Sequence, residues 1–366
     1  GGASPHLELV CLPAAALRQP RRLVYLVLDG LGERQLQRHL EAGQGQGFFA
    51  RRPREVITSV CPATTAAAVT TFMTGASPAE HAIIGWHLNL PDLGLVSSIL
   101  PAVTRTGVPL APPRLRLDRY LDLPGYLRSV KGLRHLMSWG QLHRSRYTLA
   151  CGRWSARSGY RTLRGMERRI LAFARAPGRG LAYAYWPEYD PCCHARGCTS
   201  GRTRRHFQQL DASMARLERG LAGTGAAVVV TADHGLVDTT AEGRIDLRDV
   251  PGLAACLATL PAGDSRQVHC FVRAGRQRDF LAAARAHLRD ACRVVPGSQL
   301  LRAGWFGPGQ PHPALARRCG DFVLLARDGH AFAYSLPGCP PHFEAANHGG
   351  LSADEMLVPL YVVPDR

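Results

Sequence analysis

Two hydrophobic patterns alternate along the chain. Continuous apolar runs occur at 23–28 (LVYLVL), 226–232 (AAVVVTA) and 356–363 (MLVPLYVV). Such runs mark strands buried on both faces of a parallel sheet. The aromatic-rich run LAYAYW at 181–186 reads as another strand. Between these runs the period changes. Phe207, Leu210, Met214, Leu217 and Leu221 recur at three- and four-residue spacing and predict a helix over 203–221. Helices are also expected near 33–42 and 163–176. A β-prone run over 55–60 reaches Pro62, which disfavours helix before it. Ala66, Ala67, Ala68 and Val69 then open a helix. This alternation predicts an α/β fold with a mostly parallel central sheet and helices on both faces. Pro359 places the last strand near an edge.

A different texture fills 245–340. QVHCFVRA (267–274) alternates like a half-buried strand, 278–294 reads as an amphipathic helix, and 321–334 reads as a hairpin on Asp328-Gly329. The expected organisation is a core of 20–244 and 341–366, a small inserted α/β cap at 245–340, and an N-terminal extension at 1–19. Residues 88–160 contain Pro101, Pro109, Pro112, Pro113 and Pro124 and carry no repeat or recognisable chemistry. They read as a surface insertion that shapes the cleft.

Composition narrows the class. The 366 residues are 46% hydrophobic and 20% charged, which requires a folded core. No run approaches the ~20 apolar residues of a membrane span. The N-terminus lacks a basic segment leading into a long apolar core, so no signal peptide is read. With 11 cysteines, an odd number, the expectation is a reducing, cytoplasmic setting. Export stays open because the chain does not start with Met. The formal charge of +17 comes almost wholly from Arg, since Lys131 is the only lysine. These arginines are scattered, consistent with a GC-rich coding bias. They imply attraction for anionic substrates more than a nucleic-acid interface. Cys192, Cys193 and Cys198 surround His194, but a closed zinc site needs four ligands, usually as two spaced pairs.

The chemistry lies at the ends of the strands. The first run ends in Asp29-Gly30 and the second in Asp233-His234-Gly235, where open α/β sheets bind ligands. Thr64 and Thr65 stand at a helix start, as N-cap or as a hydroxyl nucleophile at an anion-favouring terminus. Asp190 and His194, four apart, share a helical face, a spacing that suits two ligands on one metal. His348 precedes Gly349-Gly350, which let backbone approach closely. His81 and His87 read as structural, and Gly85-Trp86 as a tight turn. GTGAAV at 223–228 precedes a strand instead of opening a helix, so it is not a dinucleotide loop. Three carboxylates, three imidazoles and one hydroxyl offer O and N donors for two zinc-like cations. Such a pair can clamp an in-line phosphoryl displacement.

The order Asp-Gly, Pro-x-Thr-Thr-Ala, Asp-x-x-x-His, Asp-His-Gly and His-Gly-Gly resembles the alkaline phosphatase superfamily. Within it, the chain is most similar to the nucleotide pyrophosphatase/phosphodiesterase-like (type I phosphodiesterase) branch, from about residue 23 to 363. There the nucleophile precedes the Thr of a Thr-Gly pair by nine residues. Thr74-Gly75 is that pair here, so Thr65 is implicated, with Thr64 as the neighbouring alternative. The resemblance implies one zinc on Asp190, His194 and His348. It implies a second on Asp29, Asp233 and His234, with Thr65 coordinated to it. Tyr185 falls where nucleotide-cleaving members place an aromatic ring beside the substrate, although strand packing explains it equally well. Two features depart from the branch. Cys61-Pro62-Ala63-Thr64 replaces a Phe-Pro-Asn pattern whose Asn binds a phosphate oxygen, and Ala82 follows His81 where relatives have Gly. The Cys-x-Pro-x-Arg setting of sulfatases is absent. The implied activity is a zinc-dependent phosphodiesterase or nucleotide pyrophosphatase with a phosphothreonine intermediate and a small anionic phosphoester substrate. A phosphomonoesterase or phosphonate hydrolase would use the same residues. A non-catalytic Arg-rich polyanion binder is the alternative from another class.

Overall fold

Seven strands form the central sheet, in the order Glu55–Thr58, Leu357–Val363, Ala226–Thr231, Arg22–Leu28, Gly180–Trp186, Leu133–Trp139 and Ala156–Tyr160. The computed structural model describes residues 6–12, 17, 19–110, 117, 125–338 and 342–364. Parts of the expected extension at 1–19, and Pro112, Pro113 and Pro124, lie outside the described residues. Arg22–Leu28 pairs in parallel with Ala226–Thr231 on one side and Gly180–Trp186 on the other. Leu357–Val363 is antiparallel to both its neighbours. It is second from the edge, and Glu55–Thr58 is the edge strand, with Pro359 opposite Val56.

The apolar runs bury both faces, as continuous runs must. Val24, Leu26 and Leu28 face a cluster with Leu36, Met166, Ile170, Phe207, Leu210 and Met214, which come from helices Glu33–Glu41, Leu163–Arg175 and Gly201–Leu221. Val27 faces the opposite cluster, with Ala66, Val69 and Met73 from helix Thr65–Thr74. The fold is therefore mixed α/β with a mostly parallel sheet covered on both sides. No helix among the described residues is long and apolar enough to cross a membrane.

A second seven-stranded sheet, antiparallel throughout, covers one end of the first. Its order is Cys292–Pro296, Phe322–Ala326, Gln267–Cys270, Ala262–Gly263, His87–Leu90, Leu95–Ser98 and Val103–Thr104. Its last three strands come from the stretch where the pattern predicted no element. They are two to four residues long, too short to show a period.

Two expectations for this layer are corrected. The helix expected over 278–294 ends at Leu288, and Cys292–Pro296 becomes an edge strand. The hairpin expected over 321–334 does not form. Phe322–Ala326 already has a partner on each side, Gln267–Cys270 and Cys292–Pro296, so no free ladder remains for a strand after Asp328-Gly329. Ala331–Ala333 pairs instead with Arg244–Asp246, in parallel.

One buried ion pair ties the second sheet to the first. Arg266, just before Gln267–Cys270, is fully buried. Its Nε donates to Glu355 Oε1 at 2.8 Å, and its Nη1 to the His330 and Arg327 carbonyls at 2.6 and 3.0 Å. Glu355 also accepts the Gly350 N–H at 2.7 Å and the Ser352 hydroxyl at 2.7 Å. It thereby fixes the turn that leads into the last strand. Removing one partner leaves a buried charge uncompensated, so Arg266→Met or Glu355→Gln should each lower unfolding free energy by roughly 3 kcal/mol. The double variant should recover part of that loss. Urea unfolding checks this, and unchanged midpoints in both single variants would remove the pair from this role.

Candidate active site

Three adjacent strands carry three carboxylates to one edge. Asp29 directly follows Arg22–Leu28, Asp233 lies just beyond Ala226–Thr231, and Asp190 lies in helix Tyr189–Arg196 after Gly180–Trp186. The Asp29 N–H donates to the Trp186 carbonyl at 2.9 Å, which extends the ladder by one step. Gly30 then turns with φ 74°, and a Cβ there would lie 2.9 Å from Asp190 Cβ. Only glycine lets the Asp190 helix approach this closely. Asp233 Oδ1 accepts the N–H groups of Gly30 and His234, both at 3.1 Å.

Thr65 enters from the strand two places away from Ala226–Thr231. It is the first residue of helix Thr65–Thr74. Thr64 occupies the N-cap, but no side-chain cap bond forms there. Neither hydroxyl is thus committed to capping. Thr65 Oγ1 lies 3.0 Å from His234 Nε2, whereas Thr64 Oγ1 is buried without a partner. His234 Nε2 also faces Asp29 Oδ1 at 3.5 Å and Asp233 Oδ2 at 3.6 Å. The His348 and His234 rings stack at 3.8 Å. His348 is delivered by Gly349, at φ 104°, where a Cβ would stand 2.6 Å from Asp264 Cβ.

All seven expected residues converge. Asp29, Asp233 and His234 place one donor atom each within 4.8 Å of one another, and so do Asp190, His234 and His348. His234 thus belongs to both groups. His194 stands beside the second, with Nε2 3.1 Å from Asp190 Oδ2. The donor set suits divalent cations, and several donors are unmet. Asp29 Oδ1, Asp190 Oδ1, Asp233 Oδ2 and His348 Nδ1 are buried without a hydrogen-bond partner. Unpartnered buried ligand atoms in both groups fit the demand of divalent cations. The cysteines near His194 join neither group among the described residues.

Charge tells the same story. Burial, and then the charges of Asp233 and Asp190, push the Asp29 carboxyl well above the usual range. Burial, and then His234, holds His348 well below the ordinary imidazole range, so its nitrogens are free to ligate. For His194 burial alone would lower the value, but Asp190 and Glu344 raise it to about 11. Its Nδ1 faces Glu344 at 2.8 Å and the Ala346 carbonyl at 2.7 Å, which leaves Nε2 toward Asp190. A metal on Nε2 would displace that proton.

Tyr185 sits elsewhere than the resemblance implied. Its hydroxyl donates to Asp29 Oδ2, and its ring stacks on Tyr183 in the core, with 8% exposure. It orients Asp29 from beneath and lines no part of the cavity. His81 is structural as expected: it is fully buried, its Nδ1 accepts the Ile83 N–H at 3.0 Å, and its Nε2 meets Thr71.

Thr65, Asp190, His194 and His348 open into a cavity of about 590 Å³ between the two sheets, a volume that takes a small organic ligand. The cap supplies its far walls, including Trp86, Arg105, Phe332 and Tyr334. Sequence reading missed four residues here. Glu344 backs His194. Asn347 accepts from Ser265 at 2.8 Å. Asp264 accepts the Trp86 N–H at 3.1 Å, and burial pushes its carboxyl up to about 6. Arg105 lies among Pro- and Arg-rich sequence with no local signal. Of the four, only Glu344 and Asn347 gave a hint, by their nearness to His348.

Comparison with known proteins follows the geometry. The family model described as Type I phosphodiesterase / nucleotide pyrophosphatase matches residues 126–350. No curated protein matches. Among solved structures, murine ectonucleotide pyrophosphatase / phosphodiesterase 5 is 15% identical with TM-score 0.70, covering 92% of this chain and 87% of that one. An inactive variant of that murine protein in complex with AMP is 15% identical with TM-score 0.71, covering 94% and 87%. Phosphonoacetate hydrolase from Sinorhizobium meliloti 1021, in complex with phosphonoformate, is 17% identical with TM-score 0.68, covering 95% and 91%. At these identities the structures establish the fold, which is alkaline-phosphatase-like.

The crowded carboxylates give a crossing prediction. A carboxyl whose folded pKa is raised destabilises the fold once pH exceeds its unfolded value, because ionisation is then opposed. In chelator at neutral pH, Asp29→Asn should therefore melt above the wild type. Zinc or manganese at a hundredfold excess over Kd should stabilise the wild type by about 2.7 kcal/mol, and the variant much less. Differential scanning calorimetry reads both. A wild-type melting temperature that ignores the cations would mean that the two groups bind none.

Proposed function

We propose a mechanism for a chain that belongs to the type I phosphodiesterase / nucleotide pyrophosphatase family and hydrolyses phosphoester bonds: a phosphodiesterase or nucleotide pyrophosphatase that works through a phosphothreonine on Thr65. The carrying observation is the place of Thr65 Oγ1, at a helix N-terminus, 3.0 Å from His234 Nε2 and open to the cavity. Divalent cations, held by Asp190, His194 and His348 and by Asp29, Asp233 and His234, would neutralise phosphoryl oxygens and lower the pKa of the attacking hydroxyl and water. Two zincs are the assignment that this O/N donor set supports.

The chain's own groups do the rest. Thr65 Oγ1 gives its proton to solvent and attacks phosphorus in line, while the bond from phosphorus to the leaving alcohol or nucleotide oxygen breaks. The leaving oxygen takes a proton from solvent. Free N–H groups in the first turn of Thr65–Thr74 favour the phosphoryl anion. Water then adds to phosphorus, the Thr65 oxygen leaves, and the hydroxyl regains its proton. Tyr185 and the Gly30 and His234 N–H groups hold Asp29 and Asp233 in place throughout. The substrate is a small anionic phosphoester. The AMP in the murine complex favours a nucleotide-like one, and the phosphonoformate in the hydrolase complex makes a phosphonate the second reading.

Hydrolysis of bis-p-nitrophenyl phosphate should exceed that of p-nitrophenyl phosphate and stop with chelator. Thr65→Ala should lower kcat roughly 10³-fold or more, with Thr64→Ala far milder. Quenched turnover of bis-p-nitrophenyl phosphate should leave a 4-nitrophenyl phosphoryl group on the peptide carrying Thr65, read by mass spectrometry. Full activity in Thr65→Ala would overturn the nucleophile, and preference for the monoester would move the chain to the phosphomonoesterase reading.

A further inference from the structure

Arg105 is a charged cavity residue that the mechanism leaves unused. It follows the last short strand of the cap sheet, Val103–Thr104, and lines the same cavity as Thr65, Asp190 and His348. Its Nη2 makes one long hydrogen bond, 3.4 Å, to the Tyr334 carbonyl. No carboxylate among the described residues forms an ion pair with it. Burial lowers its pKa, and no neighbouring charge acts to raise it. A half-buried guanidinium with five donors and one long bond is poorly satisfied.

The other charged side chains of the cavity each have at least one polar partner. Glu344 faces His194 at 2.8 Å and His342 at 3.2 Å. Asp264 accepts from Trp86. Asp190 faces His194. His87, beside Arg105, is bonded to Ser98 at 3.0 Å, and burial, followed by the Arg105 charge, pushes its pKa down to about 3. It is neutral at working pH and adds no charge. Among the described residues the cap wall therefore presents one cation without an ion-pair partner, flanked by Trp86, Phe332 and Tyr334, across a cavity whose other wall carries the reacting hydroxyl.

We propose that the cavity holds a second anion site centred on the Arg105 guanidinium, and that preferred substrates carry a remote carboxylate or phosphate besides the scissile phosphoryl group. This rests on the hydrolase reading above. The planar fork pairs bidentately with either group. The partly excluded solvent makes the pair stronger than on the surface. The aromatic walls cover the linker between the two charged ends.

A matched series tests it. Ethyl 4-nitrophenyl phosphate, 2-carboxyethyl 4-nitrophenyl phosphate and 2-phosphonoethyl 4-nitrophenyl phosphate share one scissile bond and differ in the remote group. The wild type should favour at least one anionic ester over the ethyl ester by about tenfold or more in kcat/KM. The better of the two tells a carboxylate site from a phosphate site. Arg105→Ala should collapse that ratio toward one, and Arg105→Lys should keep part of it. Calorimetric titration of 3-phosphonopropionate against ethylphosphonate gives a readout without turnover, with the same preference in the wild type and its loss in Arg105→Ala. No preference in the wild type, or equal losses on all three esters in Arg105→Ala, would overturn the anion site. If no ester is cleaved but 3-phosphonopropionate still binds through Arg105, the hydrolase reading fails and the anion site stands.

Discussion

Crowding of like charge at one sheet edge is the constraint on which the rest of this structure depends. Asp29, Asp233 and Asp190 follow neighbouring parallel strands, and ladder hydrogen bonds fix where those strands end. Leu28 is opposite Trp186, and Val27 opposite Thr231. The three carboxylates are therefore held together by the sheet, with little freedom to separate. Burying them without a countercharge is unfavourable. Each is steadied on one side only: Asp29 by Tyr185, Asp233 by two backbone N–H groups, and Asp190 by His194. The remaining oxygens face one another, unmet. That arrangement stores a demand for cations that the backbone cannot relax.

Two layers divide the work. The central sheet and the connections that leave its strands supply every expected metal donor and Thr65. The cap sheet supplies none of them, yet walls most of the cavity. The layers cannot drift apart without exposing Arg266 and Glu355, whose charges are buried between them. Glu355 also holds the Gly350 N–H, so the same pair that joins the layers steadies the turn carrying His348. Stability and site geometry share one interaction here.

What was legible in the sequence follows from how local the signal was. Asp29 and Asp233 were readable because a strand buried on both faces is continuously apolar, so a carboxylate at its end stands out. Asp190 and His194 were readable because helical spacing alone puts them on one face. The absent hairpin at 321–334 could not be foreseen, because both edges of Phe322–Ala326 are taken by strands distant in sequence. Residues 292–294 read as helix because their apolar positions continue the pattern of Gln277–Leu288, and only the sheet edge decides otherwise. Tyr185 was placed beside the substrate, yet its neighbour Asp29 turns it inward. Asp264 and Arg105 sit in segments with strands of two to four residues, where neither period nor spacing survives.

The same division explains why chemistry was easier to read than substrate. Metal donors must meet narrow rules of atom type and spacing, and those rules leave marks in sequence order. A specificity wall has only to be somewhere on the cavity's far side. Trp86, Arg105, Phe332 and Tyr334 come from three separate segments and meet only through the cap's antiparallel pairing and the parallel pairing of Ala331–Ala333 with Arg244–Asp246. The central site has no selective element to spare, since its carboxylates and imidazoles face each other and Thr65 Oγ1 faces His234. Under the proposed mechanism, discrimination among phosphoesters falls to the wall that the sheet edge does not build. There Arg105, without an ion pair among the described residues, stands among aromatic rings.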